Sequence, residues 1–171
     1  MTLKKLWLGL APVFLVGAIA GLILMTPVDV QANTVGCTPG YWKNHTDHWP
    51  TPYTPETTLG GLGGIFTGVS SANSGKTLLQ ALSFHGGPGV AGAELILLRA
   101  AVAAILNGAQ FPDLDDGIGD GIPFPTPGWI IGTATGPFDN VNAALASGDR
   151  ARMLALATTL DGWNNTGCPL N

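Results

Sequence analysis

The stretch AGAELILLRAAVAAILN, residues 91–107, decides the fold. Its only charges are Glu94 and Arg99, and it is apolar nearly all round. A helix of that kind belongs at the buried centre of a domain. At about 1.5 Å per residue it falls short of a bilayer, so a core helix is expected rather than a membrane span. Asn107-Gly108 supplies a stop signal.

The neighbouring segments read as its packing partners. Thr77 to Phe84 predicts a short helix with Leu78, Leu79 and Leu82 on one side, ended by His85-Gly86-Gly87-Pro88-Gly89. Residues 109–136, rich in Gly, Pro and Asp, read as irregular. Pro137 to Ser147 predicts a third helix, with Pro137 at its first position and Phe138, Val141 and Leu145 on one face. Gly148 breaks it. Asp149 then caps a fourth helix to about Leu160, with Met153, Leu156 and Leu160 facing inward and Gly162 as its end. Residues 33–75 hold Pro39, Pro50, Pro52, Pro55 and the run Leu59-Gly60-Gly61-Leu62-Gly63-Gly64, and read as loops and turns with room for two short helical turns. No segment alternates at period two long enough to call a strand. The expectation is a mostly α domain of about four helices with long Gly/Pro-rich loops.

Composition narrows the function classes. Of 171 residues only 11% are charged, against about a quarter in an average soluble protein. The net charge of −4 excludes a highly basic nucleic-acid binder. One run alone approaches bilayer-spanning length, which excludes a polytopic membrane protein. That run is Leu6 to Met25, preceded by Lys4 and Lys5 and followed by Val30-Gln31-Ala32. A positive start, an apolar stretch and small residues before a cut form a signal peptide, here residues 1–32. The alternative is an uncleaved N-terminal anchor, in which 6–25 is the only membrane contact. Either way residues 33–171 form a single extracellular domain, secreted or in the cell envelope. That domain keeps five Lys and Arg and ten Asp and Glu, a net of −5, and has no electrostatic reason to bind nucleic acid or anionic lipid.

The two cysteines, Cys37 and Cys168, sit near the two ends of this domain. In an exported protein an even count favours pairing, with two free thiols as the alternative. A bridge would close nearly the whole domain into one loop, worth about 4–5 kcal/mol on the chain-entropy argument.

The segment Gly36-Cys37-Thr38-Pro39-Gly40-Tyr41-Trp42-Lys43-Asn44-His45 resembles the CTPGYWKNH signature of a family of uncharacterised exported bacterial proteins. Residues 78–109 and 141–170 are similar to it as well; the stretch 110–136 is not. The resemblance implies secretion, one domain and pairing of Cys37 with Cys168. It brings no activity and no catalytic residue.

Two groups of residues could carry chemistry. His45 and His48 flank Asp47 three positions apart; on one helix they would share a face and hold a zinc or copper ion if Asp47 or His85 completed the site. The structural alternative has Tyr41, Trp42 and Trp49 packing on the helices while Lys43 and His45 bond backbone groups near the disulfide. Asp113, Asp115, Asp116 and Asp120 hold four of the domain's ten acids within eight residues. A Ca²⁺ ion would neutralise them, but the spacing does not fit an EF-hand, and two Asp-Gly turns in a solvated loop are the preferred reading. Ser74-Gly75-Lys76-Thr77 imitates the end of a P-loop without its first Gly. No motif places a Ser, His and Asp as a triad. Asn44-His45-Thr46 and Asn164-Asn165-Thr166 are glycosylation sequons where a host uses them. The function expected is therefore an exported non-enzymatic protein with a structural or binding role, without a cofactor. The alternatives are a Ca- or Zn-binding module and an unrecognised hydrolase.

Overall fold

The computed structural model describes residues 35–111, 127–132 and 140–170. Among them the order is α1 (Pro39–Asn44), a 3₁₀ turn (Thr46–His48), α2 (Leu78–Ala81), α3 (Gly89–Gln110), α4 (Pro127–Ile131), α5 (Val141–Ser147) and α6 (Arg150–Asn164). The described residues contain no strands, only the isolated antiparallel bridges Gly36–Gly167 and Thr58–Thr77. The fold is mostly α, with Cys37 bonded to Cys168. The N-terminal segment 1–32, the four aspartates 113–120, and Pro137 and Phe138 lie outside the described residues.

α3 is the centre. Ala93, Leu97, Leu98 and every residue from Ala100 to Gly108 are buried. It packs chiefly along α6, and α1, α2, α4 and α5 cover its remaining faces. Its length and hydropathy would suffice to cross a membrane, yet 67% of its most apolar window is buried inside the domain. The run Ala100-Ala101-Val102-Ala103-Ala104 presents short side chains, so neighbouring helices approach closely along it.

α3 runs past the stop expected at Asn107-Gly108. The side chain of Asn107 does not cap the helix end: all its bonding capacity goes to Cys37, α1 and α6, described below, and Gly108 is buried. The backbone of Asn107 stays helical, and its carbonyl accepts from the Phe111 N–H. At the other end, Gly92 meets the preceding turn. A Cβ there would lie 1.9 Å from the Gly87 carbonyl oxygen, so the His85–Gly89 turn folds directly onto the helix start.

The remaining helices shift at their ends for local reasons. α2 is one turn, held by a reciprocal capping box between Thr77 and Gln80. α4 falls inside the stretch expected to be irregular, and its Ile130 is buried in the core. α5 starts at Val141, not Pro137. Asn140 is extended, and its side chain accepts the Ala143 N–H at 2.9 Å, which makes it the N-cap. Asp149 caps α6 as expected, accepting from Ala151 and Arg152 N–H groups. Met153, Leu156 and Leu160 face inward. α6 continues through Gly162 to Asn164, because the buried side chain of Asn164 is bonded to α3 and fixes the last turn.

Candidate functional site

α1 is built from the signature segment, and the fold divides that segment in two. Thr38 caps the helix by accepting the Tyr41 N–H at 3.1 Å, and Pro39 fits the first turn, where no N–H is needed. Cys37, Pro39, Tyr41 and Trp42 point inward and are buried. The Trp42 indole donates to Asn107 Oδ1 at 3.0 Å, and Trp49 donates its indole N–H to the Trp42 carbonyl at 2.9 Å. Gly40, Lys43 and Asn44 face solvent, and His45 is half-buried.

Beside this lies an aromatic and imidazole cluster. The Tyr41 ring stacks on His45 with centroids 4.3 Å apart, and His45 Nδ1 donates to the Tyr41 carbonyl at 2.9 Å. Tyr41 Oη pairs with His48 Nδ1 at 2.5 Å, and the Leu170 carbonyl lies 3.4 Å away. His48 Nε2 sits 3.7 Å from the Asp47 carboxylate. Burial, and secondarily the negative charge of Asp47, pushes the Tyr41 phenol above its usual range. It is held as a neutral hydrogen-bonding group rather than primed as a phenolate.

His45 and His48 do not share a helix face. His45 ends α1, and His48 lies in the 3₁₀ turn. Their rings stack at 5.5 Å, and each uses Nδ1 on Tyr41. His85 lines a different cleft, with Lys43 and Arg99. Among the described residues no three His, Cys, Asp or Glu gather where they could hold a metal ion. Of the backbone bonds expected for Lys43 and His45, His45 makes one, and the exposed Lys43 makes none among the described residues.

The segment also lines a cleft of about 330 Å³ that includes Tyr41, Asn44, His45, Asn165 and Cys168. Its edge is fixed by the disulfide, with Cα atoms 4.4 Å apart, and by the Gly36 N–H donating to the Gly167 carbonyl at 2.8 Å. A Cβ on Gly36 would lie 2.1 Å from the Trp163 carbonyl oxygen, so only glycine lets the two chain ends meet here.

Three polar residues gained roles that the sequence reading did not give them. Asn107 and Asn164, both fully buried, join α1, α3 and α6. Their burial excludes Asn164 as a glycosylation acceptor in the folded chain. Asn44 of the other sequon is exposed. Glu94, also buried, accepts the Ser70 N–H at 2.9 Å and ties the long loop to α3. For Glu94 and Asn107 the available signal was a polar side chain on a helix otherwise apolar all round. Such a group must find partners inside the fold.

Compared with protein-family models, curated proteins and solved structures, the chain matches none.

Proposed function

We propose that the protein is an exported envelope or extracellular protein with a binding role, and that the outward side of α1 carries it. The observation behind this reading is the division of one short segment. Its inner residues close the core and the disulfide. Its outer residues, Lys43 and Asn44, are exposed and make no side-chain hydrogen bond or ion pair among the described residues, so the fold does not account for them. They stand beside a cleft walled by Asn44 and His45.

Export is supported from two sides. The N-terminal segment has the layout of a signal sequence, and the domain is closed by a disulfide of the kind that persists in oxidising compartments. The state of Tyr41 argues against a tyrosine nucleophile in this cluster. A tyrosine nucleophile needs a lowered pKa, and this phenol is pushed upward.

The test is fractionation of cells producing the full chain, wild type beside Lys43→Ala/Asn44→Ala. The expected result is oxidised protein outside the cytoplasm and retained on the envelope fraction. The double variant melts at the wild-type temperature but is released from that fraction. Reduced protein in the cytoplasm would refute export, and undiminished retention of the variant would refute the assignment to α1.

A further inference from the structure

A second cleft, of about 460 Å³, adjoins the first through Gly40 and Asn165. Residues 33–171 contain only five Lys and Arg, and two of them, Lys43 and Arg99, line this cleft together with His85. They come from α1, from α3 and from the turn between α2 and α3, so the tertiary fold gathers them. In a chain of net charge −4, such convergence is not a by-product of composition.

None of the three has a side-chain hydrogen bond or an acidic partner within 4.0 Å among the described residues. Lys43 and His85 are exposed, and water satisfies them. Arg99 is half-buried, with Leu98 and Ala100 on either side of it buried. A guanidinium on a cleft wall with no acidic partner is free to pair with the oxygens of an anion. Asp161 lines the same cleft, exposed, without pairing to any of them. Pro39, Leu82 and Phe84 add apolar wall.

We propose that this cleft binds a single oxyanion group, carboxylate or phosphate, carried by a small solute. The proposal goes beyond the envelope binding above and shares Lys43 with it. The planar fork of Arg99 matches two oxygens of such a group, Lys43 supplies a point charge, and His85 supplies a ring N–H. The apolar wall accommodates a carbon skeleton, and Asp161 disfavours densely charged polyanions. The volume lies within the range of small-molecule sites, about 300–1,000 Å³.

The test is titration of the purified exported protein with inorganic phosphate and with propionate, against chloride at matched ionic strength, followed by backbone amide NMR shifts. Saturable shifts at Lys43, His85 and Arg99 with either oxyanion, and not with chloride, are expected. Phosphate alone would identify a phosphate group and propionate alone a carboxylate; each supports the proposal. Binding should weaken about tenfold in Arg99→Gln and in Lys43→Ala/His85→Ala. The second variant changes only exposed side chains and serves where Arg99→Gln does not fold. No saturable shift with either anion, or undiminished binding in the variants, overturns the proposal. Envelope retention by a protein that binds neither anion would overturn the ligand class and leave the binding role standing.

Discussion

Asn107 pairs with Cys37 in both directions across 70 residues of sequence. The Cys37 N–H donates to Asn107 Oδ1 at 2.8 Å, and Asn107 Nδ2 donates to the Cys37 carbonyl at 2.9 Å. The side-chain amide thus takes the place of a neighbouring β-strand for one residue of backbone. Its remaining capacity is also filled. Oδ1 accepts the Trp42 indole N–H, and Nδ2 donates to Asn164 Oδ1. Asn164 passes the connection on by donating to the Ala100 carbonyl at 2.9 Å. Four elements, including the half-cystine, therefore meet at one fully satisfied buried amide.

Replacing that amide should be among the costliest changes in the protein. Asn107→Ala leaves the Cys37 N–H and carbonyl, the Trp42 indole and part of Asn164 buried without partners. Each unsatisfied group costs about 1–3 kcal/mol, so a total loss of at least about 4 kcal/mol is expected. Asn164→Ala removes fewer bonds and should cost less. Chemical denaturation of both variants checks the order. Equal stabilities would show that the network is not centred on Asn107.

The disulfide closes a separation of 131 residues, and its contribution comes largely from restricting the unfolded chain. Cys37→Ala/Cys168→Ala should lose about 4–5 kcal/mol. That is comparable with the whole stability of a small domain, so the variant is expected to be poorly folded at 37 °C. Circular dichroism of the variant, with and without a stabilising osmolyte, is the measurement. A melting temperature unchanged from wild type would mean that the bridge is incidental.

Leu97 is fully buried in α3. In Leu97→Asp an unpaired carboxylate would replace an apolar side chain, at a cost of several kcal/mol. Loss of folded protein is expected, while Val90→Asp, at a 44% exposed position on the same helix, should be tolerated. An unchanged melting temperature for Leu97→Asp would place this face of α3 against solvent.

The core was legible in the sequence because α3 and α6 carry their burial in local patterns: one apolar all round, the other with Met153, Leu156 and Leu160 on one side. The cap at Asp149 was legible for the same reason. Helix ends that depend on tertiary contacts were not. Asn107 reads as a stop in isolation, and only the presence of Cys37 and Trp42 beside it turns it into a buried hub. Asn140 was overlooked because Pro137 offered a stronger local start signal. The signature segment was visible as a unit, but nothing in its letters says that Tyr41 and Trp42 turn inward while Lys43 and Asn44 turn out. His45 and His48 suggested a metal pair by spacing. The break between α1 and the 3₁₀ turn instead places both against Tyr41.

The alkaline behaviour of the two tyrosines provides a check on that cluster. Burial raises both Tyr41 and Tyr53 above the ordinary value of 10.0, and Asp47 adds to the effect at Tyr41. The native state therefore holds these protons more tightly than the unfolded chain does. Their contribution to stability is complete below about pH 10, and it is lost as the pH rises from there through the folded-state values. Spectroscopic titration should find less phenolate absorbance than free tyrosine shows at the same alkaline pH. The rest should appear at higher pH, together with loss of helical signal. In Tyr41→Phe the phenol and its link to His48 are gone, so stability at neutral pH should fall by about 1 kcal/mol. The decline of stability above pH 10 should become shallower than in the wild type, since only Tyr53 then contributes. An unshifted wild-type phenolate titration in the still-folded protein would show that Tyr41 is open to water, and with it that the inner half of α1 is not packed as described.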